Sequence, residues 1–482
     1  MNLKMVSHTV GRLLSVEALL MLLPLVVSLV YKEFNIVLCF GITIVLTFVV
    51  SCLMRAPKVS TTKIYAREGF VAVALSWILM SFFGALPFVI SREIPSMVDA
   101  LFEVVSGFTT TGATILVDVE SLSMGLLFWR AFTHWIGGMG VIVFVLAILP
   151  QKDMQSMHIL RAEVPGPTVG KLVSKTTVTA RILYIIYGVL TVAQIIALLC
   201  CDMPLYDSVT TAFATAGTGG FSVKNASIAA YNNLGAEVVI SLFMLLFGIN
   251  FNLFYLLLIK QFKRVFKSEE LWTYLLVIGV SVLLITFNIY PMVETLGTAL
   301  RQAGFQVISI ITTTGFVTAD FGQWPAMSQM VLVVLMFLGA CAGSTGGGLK
   351  VGRMIILVKA AFRELRRAIN PKRVKAIKLD GAVIEKDVVI TTSTYFVIYM
   401  FIIGISALIL TIDNFDFTTT VTAVVTCINN VGPGLAAVGP VENFADFSNF
   451  SKLVLSANML IGRLEIFPII ILFMRSTWKK TT

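Results

Sequence analysis

The amino-acid sequence predicts an all-α polytopic membrane protein: four parallel units of span, short pore helix, filter loop and span around a central pore, preceded by two extra transmembrane helices. Three observations carry that prediction. The chain is 57% hydrophobic with a mean hydropathy of +0.92, far above an ordinary soluble domain. Its basic and acidic residues fall in alternating connections. Strings of small residues closing on glycine recur four times between apolar stretches: "GFTTTGAT" (107–114), "TAGTGGFS" (215–222), "TTTGFVT" (312–318) and "NNVGPG" (429–434).

Apolar runs near the ~20 residues that cross a bilayer core lie at 13–30, 35–54, 69–90, 124–150, 182–201, 236–259, 271–290, 388–412 and 453–474. A further run, 329–358, is broken by glycines. The first contains Glu17 and leads to no small-residue cleavage site, so it reads as a retained span rather than a signal peptide. The six cysteines (Cys39, Cys52, Cys200, Cys201, Cys341 and Cys427) lie in or beside apolar segments without C-x-x-C spacing and read as buried free thiols.

The formal charge of +10 first suggests an anionic partner such as nucleic acid. However, most Lys and Arg fall in 1–12, 55–67, 152–181, 260–267, 350–386 and the tail after Arg475, whereas Asp118, Glu120, Asp202, Asp207, Asp320, Asp413, Asp416, Glu442 and Asp446 fall in the intervening connections. By the positive-inside rule the basic set is cytoplasmic, with both termini, and the acidic set external. Topology absorbs the charge, and no nucleic-acid partner is expected.

Parity then constrains the short segments. Two full spans separate the basic loops 55–67 and 152–181, so 98–111 must enter and leave on one side. The same holds for 205–217, 299–314 and 417–431, which read as re-entrant half-helices. Asp99 and Asp207 stand equally far before Gly112 and Gly220, aligning those glycines; Gly315 and Gly432 take the matching places. The chain divides into a lead-in, 1–66, and units 67–180, 181–268, 269–386 and 387–482. All four loops return toward the same side, which is parallel repetition around a pore.

Irregular backbone at membrane depth is tolerated only where it is buried in protein or lines water. Thr, Gly and Asn loops can turn carbonyls toward an axis, and a ring of carbonyls replaces the hydration shell of a cation. None of the loops has Asp, Glu, His or Cys at its core, so neutral oxygens for a monovalent ion are expected rather than a divalent or transition-metal site. Short helices pointing their negative C-terminal ends at the pore add cation stabilisation.

The repeats "TTTGAT", "TGGFS", "TTTGF" and "NNVGPGL", with "WRAFTHWIGGMG" and "GSTGGGLKVGR", resemble the Trk/Ktr/HKT superfamily of potassium transporters, in particular its TrkH-like membrane subunits, over essentially the whole chain. The resemblance implies potassium uptake across the bacterial inner membrane. It implies a filter of Thr110, Thr111, Gly112, Thr218, Gly219, Gly220, Thr313, Thr314, Gly315, Asn430, Val431 and Gly432, with potassium as substrate and no cofactor in this chain. Glycine at all four key places goes in the family with potassium permeation. The fourth loop departs from T-x-G through Asn429, Asn430 and Pro433, which predicts imperfect fourfold symmetry.

In 329–358 the string "GACAGSTGGG" (339–348) cannot hold a helix, since each glycine costs about 1 kcal/mol relative to Ala. Two half-helices joined by a loop below the filter are expected. The resemblance implies that Gly343, Ser344, Thr345, Gly346, Gly347 and Gly348 gate, together with Arg463 on the last span. The string lacks phosphate-loop spacing. Segment 359–386, basic and mixed in polarity, reads as a solvated loop large enough to dock a partner; the resemblance implies a TrkA-like nucleotide-binding regulatory ring and a homodimer. His8, His134 and His158 are scattered and Arg130 stands alone, so neither His134 nor Arg130 receives a role and no enzyme site is expected. The alternative reading is an alternating-access or ion-coupled transporter.

Overall fold

Helix caps, apolar length and glycine decide where this chain starts, stops and bends. The computed structural model describes residues 1–57, 66–140, 176–371 and 376–478. His158 and the latter part of the span expected at 124–150 lie outside the described residues.

The lead-in is α1 (Leu3–Leu20) running into α2 (Leu22–Val30), then α3 (Phe34–Arg55). The first unit is α4 (Ala66–Ile90), α5 (Met97–Phe108) and α6 (Met124–Gly138). The second is α7 (Thr176–Leu199), α8 (Leu205–Gly217), α9 (Leu234–Gly248) and α10 (Phe251–Leu258), followed by the short α11 (Phe262–Phe266). The third is α12 (Glu269–Ile289), α13 (Leu296–Ile311), α14 (Ala326–Leu338) and α15 (Val351–Ile369), followed by a small antiparallel hairpin, β1 (Lys378–Leu379) with β2 (Ala382–Val383). The fourth is α16 (Lys386–Leu410), α17 (Phe417–Asn429), α18 (Asn449–Arg463) and α19 (Phe467–Phe473).

Local chemistry starts the short helices. Ser96, Thr295 and Asp416 cap α5, α13 and α17 by accepting the backbone N–H groups of Asp99, Thr298 and Thr419 at 3.3, 3.1 and 3.1 Å. Pro204 precedes α8, which has no side-chain cap of this kind. All four match the expected re-entrant segments.

The units close into a ring. Each short helix packs on the first helix of its own unit and on the inner helix of the unit before it: α8 on α6, α13 on α9, α17 on α14, and α5 on α18. Lys452 of α18 bonds Asp99 of α5 at 2.7 Å, tying the last unit to the first. The lead-in packs on the first unit through α1, α3 and α4.

Three expectations need correction. The runs 236–259 and 453–474 are not continuous helices: α9 and α10 meet at a 91° bend, and α18 stops at Arg463 before Glu465 and Ile466, both at φ near +60°. Segment 359–369 is helix rather than loop, because Val358, Phe362, Leu365 and Ile369 recur at helical spacing and α15 runs through them. Only three of the six free cysteines are buried; Cys52 and Cys200 face outward from lipid-length helices and their ends. The inner helices of all four units end within their apolar runs, at Gly138, Gly248, Leu338 and Arg463.

Candidate functional site

The four short helices end alike. Each closes with a residue in the left-handed region, Thr110 (φ 56°), Thr218 (57°), Thr313 (58°) and Asn430 (54°), and two residues later comes a glycine with φ again positive: Gly112 (79°), Gly220 (74°), Gly315 (81°) and Gly432 (100°). The N–H groups of Thr111, Gly219, Thr314 and Val431 reach back to the carbonyls of Ser106, Ala214, Ser309 and Thr426 at 2.9, 2.9, 2.8 and 3.0 Å. Those of Thr110, Thr218, Thr313 and Asn430 bond Gly107, Thr215, Ile310 and Cys427. This is the same helix-ending motif four times, with Thr or Asn where glycine is usual. A β-branched residue there costs about 1–3 kcal/mol and persists only where its surroundings demand it.

The surroundings are the next loop. A β-carbon at Gly112 would run into the carbonyl oxygen of Gly219, one at Gly220 into Thr314, and one at Gly315 into Val431; at Gly432 it would lie 2.8 Å from the carbonyl oxygen of Thr111. The contacts run from unit one to two, three, four and back to one. The fourth loop departs in sequence but not in backbone, so the expected asymmetry is confined to side chains. All four glycines line one cavity of about 160 Å3, together with Thr114, Asn225 and Glu442. Lys224, which also lines the cavity, pairs with Glu120 at 3.0 Å, and that bond holds the Glu120 carboxyl below its usual range.

Side chains behind the loops fix them. Glu103 of α5 accepts Thr114 Oγ1 and the Ile115 N–H at 3.0 Å each, turning the chain after the first loop. Buried Arg130 donates to Glu103 at 2.5 Å and to the Ser222 carbonyl at 3.0 Å, with its guanidinium 3.5 Å from the Phe221 ring centroid. His134 lies 2.7 Å (Nδ1) from the Gly107 carbonyl, while the Phe221 N–H donates to its Nε2 at 3.3 Å. Only the neutral Nδ1–H tautomer satisfies both bonds. Its ring fills the space where Gly219 lacks a β-carbon. Sequence reasoning gave neither residue a role; the available signal was their i, i+4 placement on one face of an apolar helix.

The glycine-rich segment lies against the helix-terminal side of the ring. The Gly347 N–H donates to Thr313 Oγ1 at 2.6 Å and the Gly348 N–H to the Asn429 carbonyl at 3.0 Å. Gly339, Gly343 and Gly348 hold φ of 67°, 70° and 74°, which explains glycine at each. Ser344 caps its own turn through the Cys341 carbonyl and the Gly346 N–H, and Thr345 bonds the Phe247 carbonyl. Arg463 donates to the carbonyls of Thr345 (2.7 Å), Gly137 (2.5 Å) and Gly138 (2.7 Å), joining this loop to two other units. Two further residues escaped sequence reasoning. Buried Lys350 donates to the Gly346 carbonyl, and Glu270 Oε1 accepts both the Ala342 (2.7 Å) and Gly352 (2.9 Å) N–H groups, one near each end of the loop. Among the described residues no His, Cys, Asp and Glu cluster has metal-site geometry.

Comparison with known proteins agrees with this architecture. The TrkH cation transport protein family model matches residues 33–480. The chain belongs to the TrkH family. It is 36% identical to the Trk system potassium uptake protein TrkH of Salmonella typhimurium and 33% identical to that of Halomonas elongata, each aligned over 100% of both chains. Among solved structures, the TrkH potassium transporter from Vibrio parahaemolyticus superimposes with a TM-score of 0.90 at 32% identity, covering 99% of this chain and 100% of that one. TrkH-family members are integral membrane transporters, not enzymes, and the chain is one of them.

Proposed function

We propose that this chain conducts potassium inward across the bacterial inner membrane, with both termini cytoplasmic. The observation that carries the proposal is the closed ring of glycine-to-carbonyl contacts, which leaves the backbone oxygens of Thr110, Thr111, Thr218, Gly219, Thr313, Thr314, Asn430 and Val431 as the candidate ligands of a dehydrated cation. Neutral oxygens suit a monovalent ion, and relatives named for potassium uptake favour potassium. In this reading the loop 343–348 obstructs the path below the ring, Arg463 and Lys350 hold it and add positive charge there, and its displacement opens the pore. The driving force is the membrane potential, about 2.3 kcal/mol per charge per 100 mV. The protein acts as a homodimer under a cytoplasmic nucleotide-binding ring and carries no cofactor itself.

The test is the reversal potential of reconstituted protein under bi-ionic potassium and sodium conditions, for wild type and Gly315→Ser. A potassium-selective current whose ratio falls in the variant is expected, since the added side chain meets the Val431 carbonyl and Pro433 Cδ. A competent preparation with no passive current, but saturable flux that requires a counter-ion, would replace this reading with alternating access.

A further inference from the structure

The cytoplasmic half of α15 is built for a surface the described residues do not supply. Val358, Phe362, Leu365 and Ile369 form an exposed apolar stripe, with Ile369 78% exposed. Beside them run Lys359, Arg363, Arg366 and Arg367. An apolar stripe flanked by cations is the pattern of a helix lying in a membrane interface.

The level of this helix follows from its ties. Lys359 bonds Glu269, at the start of the membrane-crossing α12, and donates to the Lys378 carbonyl at 2.8 Å; the Glu269 N–H bonds Asp380 at 2.7 Å. Exposed Trp272, less than one turn into α12, sends its indole N–H to the Phe266 carbonyl at 2.9 Å, as an interfacial tryptophan does. Mid-α15 and the hairpin therefore sit at the head-group level.

Between them opens a cavity of about 460 Å3 lined by Lys359, Phe362, Arg363, Arg366 and Lys378, with Ala376 and Ile377. Among the described residues no carboxylate lines it. Lys359 is engaged by Glu269 and Arg363 by Glu364, whereas Arg366 and Lys378 have no carboxylate within salt-bridge distance among the described residues. We infer that this cavity binds an anionic phospholipid of the cytoplasmic leaflet, its phosphate between Arg366 and Lys378 and its acyl chains along Phe362 and Leu365. A soluble phosphate would meet the cations but leave the apolar stripe uncovered. The inference takes only its orientation from the topology proposed above.

The test is native mass spectrometry of the full-length protein in detergent, titrated with phosphatidylglycerol or phosphatidylcholine, for wild type and the double variant Arg366→Gln, Lys378→Gln. Each cation near an anionic head group contributes enough that losing two lowers phosphatidylglycerol binding on the order of 30-fold, with phosphatidylcholine unchanged. An equal affinity of wild type for both lipids overturns the inference, as does an unaltered preference in the variant. Competition by inorganic phosphate as effective as by the lipid assigns the cavity to a soluble anion instead. If the variant keeps its lipid and loses only a co-purifying soluble subunit, the surface is a protein interface and the inference fails. Because the readout is binding, failure of the potassium filter would leave this result intact.

Discussion

Glu270 offers the sharpest test of how the glycine-rich loop is held. One carboxylate oxygen accepts the N–H groups of Ala342 and Gly352, so a single side chain pins both ends of the loop from the start of α12. A net hydrogen bond contributes about 1 kcal/mol with a neutral acceptor and about 1.5–3 kcal/mol with a charged one; two bonds sharing one oxygen give roughly 3 kcal/mol. If both bonds break when the loop leaves the axis, Glu270→Ala shifts the balance of held to released loop on the order of 100-fold. Glu270→Gln keeps an oxygen in place and shifts it on the order of tenfold. The assay is rubidium tracer uptake into proteoliposomes without any soluble subunit, alongside the bi-ionic reversal potential. The expected order of basal flux is Ala, then Gln, then wild type, with selectivity unchanged because Glu270 does not touch the ring. Folded, selective Glu270→Ala protein with wild-type basal flux would refute the pinning, and equal effects of Ala and Gln would refute the hydrogen bond as its cause.

Three further outcomes follow from the ring and its supports. His134→Ala removes the bonds to Gly107 and Phe221 and should cost about 2 kcal/mol, read as a lowered thermal midpoint in detergent together with a weakened potassium preference; a stability loss with intact selectivity would make His134 a packing residue only. Glycine-to-alanine changes should be graded, with Gly432→Ala milder than Gly112→Ala, Gly220→Ala or Gly315→Ala, because only at Gly432 does the neighbouring carbonyl stand as far as 2.8 Å from the new β-carbon; equal reversal-potential shifts at all four would contradict the contacts. Asp416 caps α17 and its carboxyl is held below 3.8 by the Thr419 hydroxyl and N–H. The folded state binds this proton more weakly than the unfolded one, so the cap's contribution is complete above about pH 4 and lost as pH falls through the lowered value. Thermal midpoints of wild type and Asp416→Asn should therefore run parallel, wild type higher, from pH 8 to 5 and converge as the pH falls below about 4; convergence near neutrality would show another group at work.

The sequence made legible whatever leaves a trace in charge or length. Short apolar runs between like-charged loops are unable to cross, so parity placed α5, α8, α13 and α17 within a few residues. The inner-helix breaks were legible only at 339–348, where glycines accumulate. At Gly248–Asn250 and Arg463–Ile466 a hydropathy window averages over one polar residue or two opposite charges and reports a continuous span. Segment 359–369 was hidden differently: its charges dominate composition, while Val358, Phe362, Leu365 and Ile369 keep helical period beneath them. Glu103, Arg130 and His134 were illegible as a set because their partnership exists only after α5 and α6 pack.

Backbone symmetry and side-chain asymmetry divide the work of this site. The left-handed residue and glycine recur in every loop, so the four loops share one backbone path whatever their residues. The left-handed side chains differ in what they touch. Among the described residues Thr110 Oγ1 has no hydrogen-bond partner and Thr218 Oγ1 bonds the adjacent Gly217 carbonyl, whereas Thr313 Oγ1 accepts the Gly347 N–H and Asn430 Nδ2 donates to Thr111 Oγ1 and the Met459 carbonyl. Of these four side chains only that of Thr313 bonds the glycine-rich loop. An asparagine at position 430 fits this division: its amide reaches two partners at once, on the neighbouring loop and on α18, the helix that ends in Arg463. A change there should disturb loop position before it disturbs ion preference, whereas a change at any of the four glycines should do the reverse.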